Sequence, residues 1–171
     1  MARSTFSGPI RSLNGFITAG PDAVINITAE TTLTFAAHAG RIMEINDADG
    51  AVTLPTIQAD DASASAGPDD PNVNNQLGAV YRFYIGTDAT DLDIKTDGTD
   101  KFLGSLAIGI TDSTYKVFIP AASNDVISMN GGTQGGDKFS YLEITAIADN
   151  EYLVQGVLIG SGTIATPFAD S

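Results

Sequence analysis

From Lys138 to Gly160 the chain reads KFSYLEITAIADNEYLVQGVLIG. Leu142, Ile144 and Ala146 alternate with Glu143 and Thr145, and beyond Asp149-Asn150 a second run, Tyr152 to Ile159, is rich in β-branched and aromatic residues. Period-two alternation on both sides of an Asp-Asn turn predicts an antiparallel hairpin with one buried face. A lone hairpin is marginal in water, so that face needs further strands to cover it. Upstream, residues 23–36 predict a strand broken near Ala29-Glu30, and RIMEIN (41–46) and Ala51–Leu54 around Asp47-Ala48-Asp49-Gly50 predict a second hairpin closed by Pro55. In Leu77–Ile85, Val80, Arg82 and Tyr84 fall on one face and Tyr81, Phe83 and Ile85 on the other, the pattern of a central strand. Phe102–Ile110, Tyr115–Ile119 and Asp125–Met129 add three short strands, and Asn130–Gly136 reads as a flexible glycine-rich connector.

The segments between and beyond these runs divide the chain. Residues 1–22 scatter Phe6, Ile10, Leu13 and Phe16 among Ser, Gly and Pro, too sparsely for a strand face, and predict an extended N-terminal arm. The body spans 23–160 and holds a long polar loop at 58–76, in which Val73 is the one large apolar residue; residues 161–171, with Ile164 and Phe168, predict a second arm. The expected fold is therefore all-β, a single antiparallel β-sandwich or jelly-roll-like barrel of about eight to ten strands with extended N- and C-terminal arms.

Composition narrows the partners. The 171 residues carry a formal net charge of -13, which repels nucleic acid and anionic membranes. Arg3 and Arg11 are the only charges in residues 1–20, leaving a small basic arm on an acidic body. There is no cysteine, so disulfides and thiol chemistry are excluded. No apolar run reaches the roughly 18 residues of a membrane span, and the opening MARSTFSGPIRSLNG lacks the apolar core of a secretory signal, so cytoplasmic synthesis is expected. The Asn26-Ile27-Thr28 sequon is then strand sequence only.

Candidate chemistry is thin. His38 is the one histidine, set among small residues with no nucleophile elbow, so triad catalysis has no base. Seventeen Asp and four Glu leave a glycosidase-like carboxylate pair as a remote alternative. Asp88, Asp91, Asp93, Asp97 and Asp100 cluster in sequence and are weak calcium candidates, but they miss the helix-loop-helix spacing and fit the wet face of an edge strand equally well. The glycine-rich loop lacks the Lys-Ser/Thr pair of a phosphate cradle. Neither an enzyme nor a cofactor is expected.

Val52-Thr53-Leu54-Pro55, Gly78 to Phe83, Gly136-Asp137 and Glu151-Tyr152-Leu153-Val154-Gln155-Gly156, taken in order over residues 23–168, resemble virion structural proteins of tailed bacteriophages. The likeness is to the small β proteins that decorate the head; it departs from them in the 58–76 insertion and in Tyr152, where tryptophan is frequent. The resemblance implies a capsid decoration, or cement, protein on the virion surface. Its partners would be the major capsid protein and itself, as a homotrimer, with no nucleic acid or membrane. Arg3, Phe6, Ile10, Arg11, Leu13, Phe16, Ile164 and Phe168 are then the expected capsid contacts. Similar β patterns occur in tail and head fibres, where they present loops to a host glycan.

Overall fold

A computed structural model of the chain describes residues 19–57, 76–110 and 114–171. The expected N-terminal contacts Arg3, Phe6, Ile10, Arg11, Leu13 and Phe16, and nearly all of the 58–76 loop, lie outside them. Among the described residues twelve strands form two sheets. β1 (Val24–Ile27), β3 (Ile42–Ile45), β5 (Val80–Ile85), β7 (Lys101–Gly109), β8 (Tyr115–Phe118), β10 (Tyr141–Ala148) and β11 (Glu151–Ile159) make a seven-stranded sheet in the order β1-β3-β5-β10-β11-β7-β8. β2 (Thr31–Thr32), β4 (Ala51–Thr53), β6 (Leu92–Lys95), β9 (Val126–Met129) and β12 (Phe168–Ala169) make the other, in the order β12-β9-β6-β4-β2. A single helical turn, α1 (Phe35–His38), follows β2.

The all-β sandwich is as expected, but strand direction is not. Five of the ten strand pairs are parallel: β1 with β3, β3 with β5, β2 with β4, β4 with β6, and β7 with β11. The first six strands alternate between the sheets, so the chain winds as a flattened coil whose successive turns stack in parallel, Val24 beside Ile42 beside Arg82. The predicted 41–54 hairpin is therefore corrected: β3 and β4 lie in different sheets. Asp47–Gly50 turns the chain from one sheet to the other, and the ladder bonds of each strand go to the next coil. Stacked corners need stacked polar groups. Asn46 Nδ2 donates to Asn26 Oδ1 at 2.8 Å, and Thr87 Oγ1 donates to Asn46 Oδ1 at 3.3 Å, one residue from each coil.

The 138–160 hairpin forms as predicted, with Asn150 left-handed (φ 62) in the turn and a bulge between Ala146 and Ala148. It closes the coil: β10 pairs antiparallel with β5, and β11 runs parallel to β7. β5 lies between β3 and β10, the internal place its two apolar faces predict. Inward residues fill one core that includes Met43, Tyr81, Phe83, Phe102, Leu142, Tyr152 and Val154, all fully buried. Gly104 breaks the alternation of β7 at φ 99, because a Cβ there would stand 2.2 Å from the Val154 carbonyl oxygen.

Three further expectations change. β6 is internal, between β9 and β4, so the edge-strand expectation fails; Leu92 and Ile94 point inward, but Asp93 on the outer side is half-buried, with Oδ1 shielded from solvent and without a partner among the described residues. The Asn130–Gly136 connector is tightly built: Gly131 N donates to Gly135 O at 2.8 Å, and Gly132 bridges Gly135. The tail is no arm. β12 pairs with β9, placing Phe168 opposite Ile127, and Ile164 and Phe168 are 5% and 6% exposed within the core. The polar composition of 161–171 concealed two anchors that complete the smaller sheet.

Candidate docking face

Strand alternation assigns every outward side chain of the seven-stranded sheet. With Tyr81, Phe83, Leu142, Ile144, Tyr152, Val154, Leu106 and Ile108 inward, their neighbours face out. The registers then join Tyr84, Tyr141, Val157, Ala107 and Val117 into one row across five strands. Tyr141 is 41% exposed, Val157 55% and Val117 56%. Phe139 extends the row by packing on Tyr84, ring centroids 6.3 Å apart, and Tyr115 and Ile119 extend it along the last strand.

Beside this row runs a polar one, Arg82, Glu143, Gln155 and Ser105. Arg82 Nε donates to Glu143 Oε2 at 2.8 Å and Gln155 Nε2 to Glu143 Oε1 at 3.0 Å, so the carboxylate is held on both oxygens and the pair is neutral. A shallow notch of about 310 Å³ lies between the rows, lined by Tyr141, Glu143, Gln155, Gly156 and Val157. Of the described acids, Asp47, Asp49, Asp88, Asp91, Asp97 and Asp137 sit in the turns between sheets, while Glu44 on β3 stands beside Tyr84 and ends the apolar row on that side. An exposed apolar strip with the Arg82–Glu143 charge cancelled beside it is the kind of surface that can lose water against another one.

The calcium candidates do not converge. Asp88 and Asp91 precede β6 and Asp97 and Asp100 follow it, and at about 3.3 Å per residue the strand holds Asp91 and Asp97 roughly 20 Å apart. Asp88, Asp97 and Asp100 also have other work. Asp88 Oδ1 accepts from Lys138 N at 2.7 Å. Asp97 accepts from Thr56 Oγ1 at 2.6 Å and from Thr99 N at 2.9 Å; burial acts upward on its pKa, but these bonds outweigh it and hold the carboxyl below its usual range. Asp93 stands on the outer side of β6, beside Ala51 and Ser128. Among the described residues no three His, Asp or Glu side chains gather as metal ligands.

Asp100 is the unusual acid. It is fully buried, Oδ2 accepting from Ile57 N at 2.8 Å while Oδ1 has no partner among the described residues. Burial, with lesser help from Asp97 and Asp149, raises its pKa. Asp125 shows the opposite balance. Burial pushes it up, but Lys101 Nζ at 2.8 Å and Ser171 N at 2.7 Å hold it below the usual carboxylate range and tie down the end of the tail. His38 Nδ1 accepts from Thr34 N at 2.9 Å and serves the local turn, as its setting predicts.

Of the expected contacts, Ile164 and Phe168 are core residues, and the remaining six fall outside the described residues. The outward row was missed. Its signal was present in β11, where Leu153 and Val157 stand at positions that one-sided alternation reserves for polar residues. No protein-family model, curated protein or solved structure matches the chain.

Proposed function

We propose that the chain is a non-enzymatic structural protein of a tailed-phage virion that binds the outer surface of the assembled capsid and braces it. The single observation that carries this is the outward row Tyr84-Tyr141-Val157-Ala107-Val117, an exposed apolar strip on a protein of charge -13. Such a face loses water favourably against a capsid surface, while the acidic turns on its margins set orientation. Copies joined as a homo-oligomer would dock with several faces at once, each contact after the first being intramolecular. The resemblance of residues 23–168 to head decoration proteins supplies the capsid as partner and the virion surface as location.

Charge placed on the face tests the proposal. Tyr141→Asp and Val157→Asp change exposed side chains and should leave folding intact, yet weaken co-sedimentation with particles stripped of the protein at least about tenfold. Thr53→Asp, on the outer side of the smaller sheet beside Lys95, is the control and should bind normally. Undiminished binding by both face variants overturns the assignment of the face.

A second reading has its own observation. The notch sets the exposed Tyr141 ring beside Glu143 and Gln155, an aromatic plane with a carboxylate and an amide that suits a sugar. A fibre module binding a host glycan would use it.

A further inference from the structure

The seven-stranded sheet ends on β8, whose outer edge has no strand beside it among the described residues. Backbone geometry fixes what that edge offers. Ile110 N donates to Thr114 O at 3.0 Å, so Ile110 and Thr114 are a hydrogen-bonded pair, and in an antiparallel ladder such pairs recur every second residue. Lys116 and Phe118 therefore turn their N–H and C=O groups toward β7, and Tyr115 and Val117 turn theirs outward. Pro120 biases Ile119 to extended backbone, which continues the edge by one more residue. The side chains on these outward positions are apolar and uncovered: Tyr115 is 73% exposed, Val117 56% and Ile119 77%.

We propose that this edge pairs antiparallel with the same edge of a second copy, about a two-fold axis at Val117. In that register Val117 meets Val117, and Tyr115 meets Ile119 of the second copy. All three are hydrogen-bonded positions, and aromatic with β-branched is a favourable cross-strand pairing. Lys116 lies opposite Phe118 of the second copy and not opposite another lysine, so its stem covers a ring. The register is self-complementary in backbone, in shape and in charge, as an isologous contact requires.

Charge favours a second copy at this edge and disfavours it elsewhere. Two chains of -13 repel, but Tyr115–Phe118 carries Lys116 and no acid, and the outward residues beside it, Ser105, Ala107, Gly109 and Val157, are uncharged. The opposite edge, β1, presents Asn26 and begins beside Asp22. The smaller sheet ends on β2 and β12, of two residues each, too short to template a partner. Pairing through the edge leaves Tyr141 and Val157 uncovered, so two docking faces would lie side by side in one continuous sheet. The contact is two-fold, in contrast to the three-fold assembly that the resemblance implies.

The experiment is the mass of the purified full chain by light scattering over a hundredfold range of concentration. Wild type should give twice the monomer mass. Val117→Pro removes an N–H that faces away from β7, so no bond within the chain is lost, and Val117→Lys sets two ammonium groups together on the axis. Each should weaken dimerisation by about tenfold or more with the melting temperature of the monomer retained. If Val117→Pro does not fold, Val117→Lys decides alone. Tyr141→Ser, on the face and not the edge, should stay dimeric. A monomer throughout, a trimer, a dimer indifferent to both Val117 variants, or a dimer lost only on deleting residues 2–18 would each overturn the proposal.

Discussion

Tyr81 and Tyr152 meet edge to face in the core with ring centroids 6.3 Å apart, yet their hydroxyls are in opposite circumstances. Tyr152 Oη donates to Pro55 O at 2.6 Å, whereas Tyr81 Oη is buried with no partner among the described residues. Removing a bonded hydroxyl costs stability and removing an orphaned one relieves a desolvation penalty. Tyr152→Phe should therefore destabilise by about 1 kcal/mol and Tyr81→Phe stabilise by about as much, read from urea midpoints. The pair also sets an alkaline limit. Burial pushes Tyr81 up to about 12 and raises Tyr152 as well, the latter helped by Tyr81, Asp100 and Asp97. An unfolded tyrosine ionises near pH 10, so the fold keeps protons that the unfolded chain releases. The stabilisation is whole below about pH 10 and is lost as pH rises toward 12. The decline should be shallower in Tyr81→Phe, and an equal slope would remove the tyrosine from its cause.

At the scale of elements, β12 separates a tail that completes the fold from one that lies over a neighbour. Phe168→Ala should cost about 3 kcal/mol, in the range for a buried aromatic, while Thr163→Ala, exposed in the same tail, should stay within about 0.5 kcal/mol. Equal and negligible effects would return the tail to an arm. The same comparison shows what was legible. Local alternation and the Asp149-Asn150 turn gave the last hairpin and the inward set Leu142, Ile144 and Ala146, because a hairpin's pairing is written in adjacent residues. The coil was not legible. Val24, Ile42 and Arg82 are neighbours across 18 and 40 positions, the second interval stretched by residues 58–75, and nothing local distinguishes a turn that changes sheets at Asp47–Gly50 from one that makes a hairpin. The docking face was half legible: the outward positions follow from the strands, but their joining into a row needs the order β5-β10-β11-β7-β8, which only the fold supplies.

For the whole molecule, coil, hairpin and charge combine to one end. The parallel stack carries most of its acid in the turns between sheets, and the closing hairpin brings Tyr141 and Val157 to the middle of the broader sheet with Arg82 and Glu143 cancelling beside them. The result is an acidic body with one apolar strip across its broader sheet, which the proposed function sets against the many equivalent sites of a capsid lattice. Copy number separates that use from the glycan-binding alternative, since a lattice offers hundreds of sites and a fibre few. The most direct measurement of the proposal is therefore the number of copies of the chain per purified particle of the phage proposed to encode it, by quantitative mass spectrometry against the major capsid protein. One copy for each capsid subunit, or for every few, is the expected result; a handful of copies per particle, or none, would contradict capsid decoration.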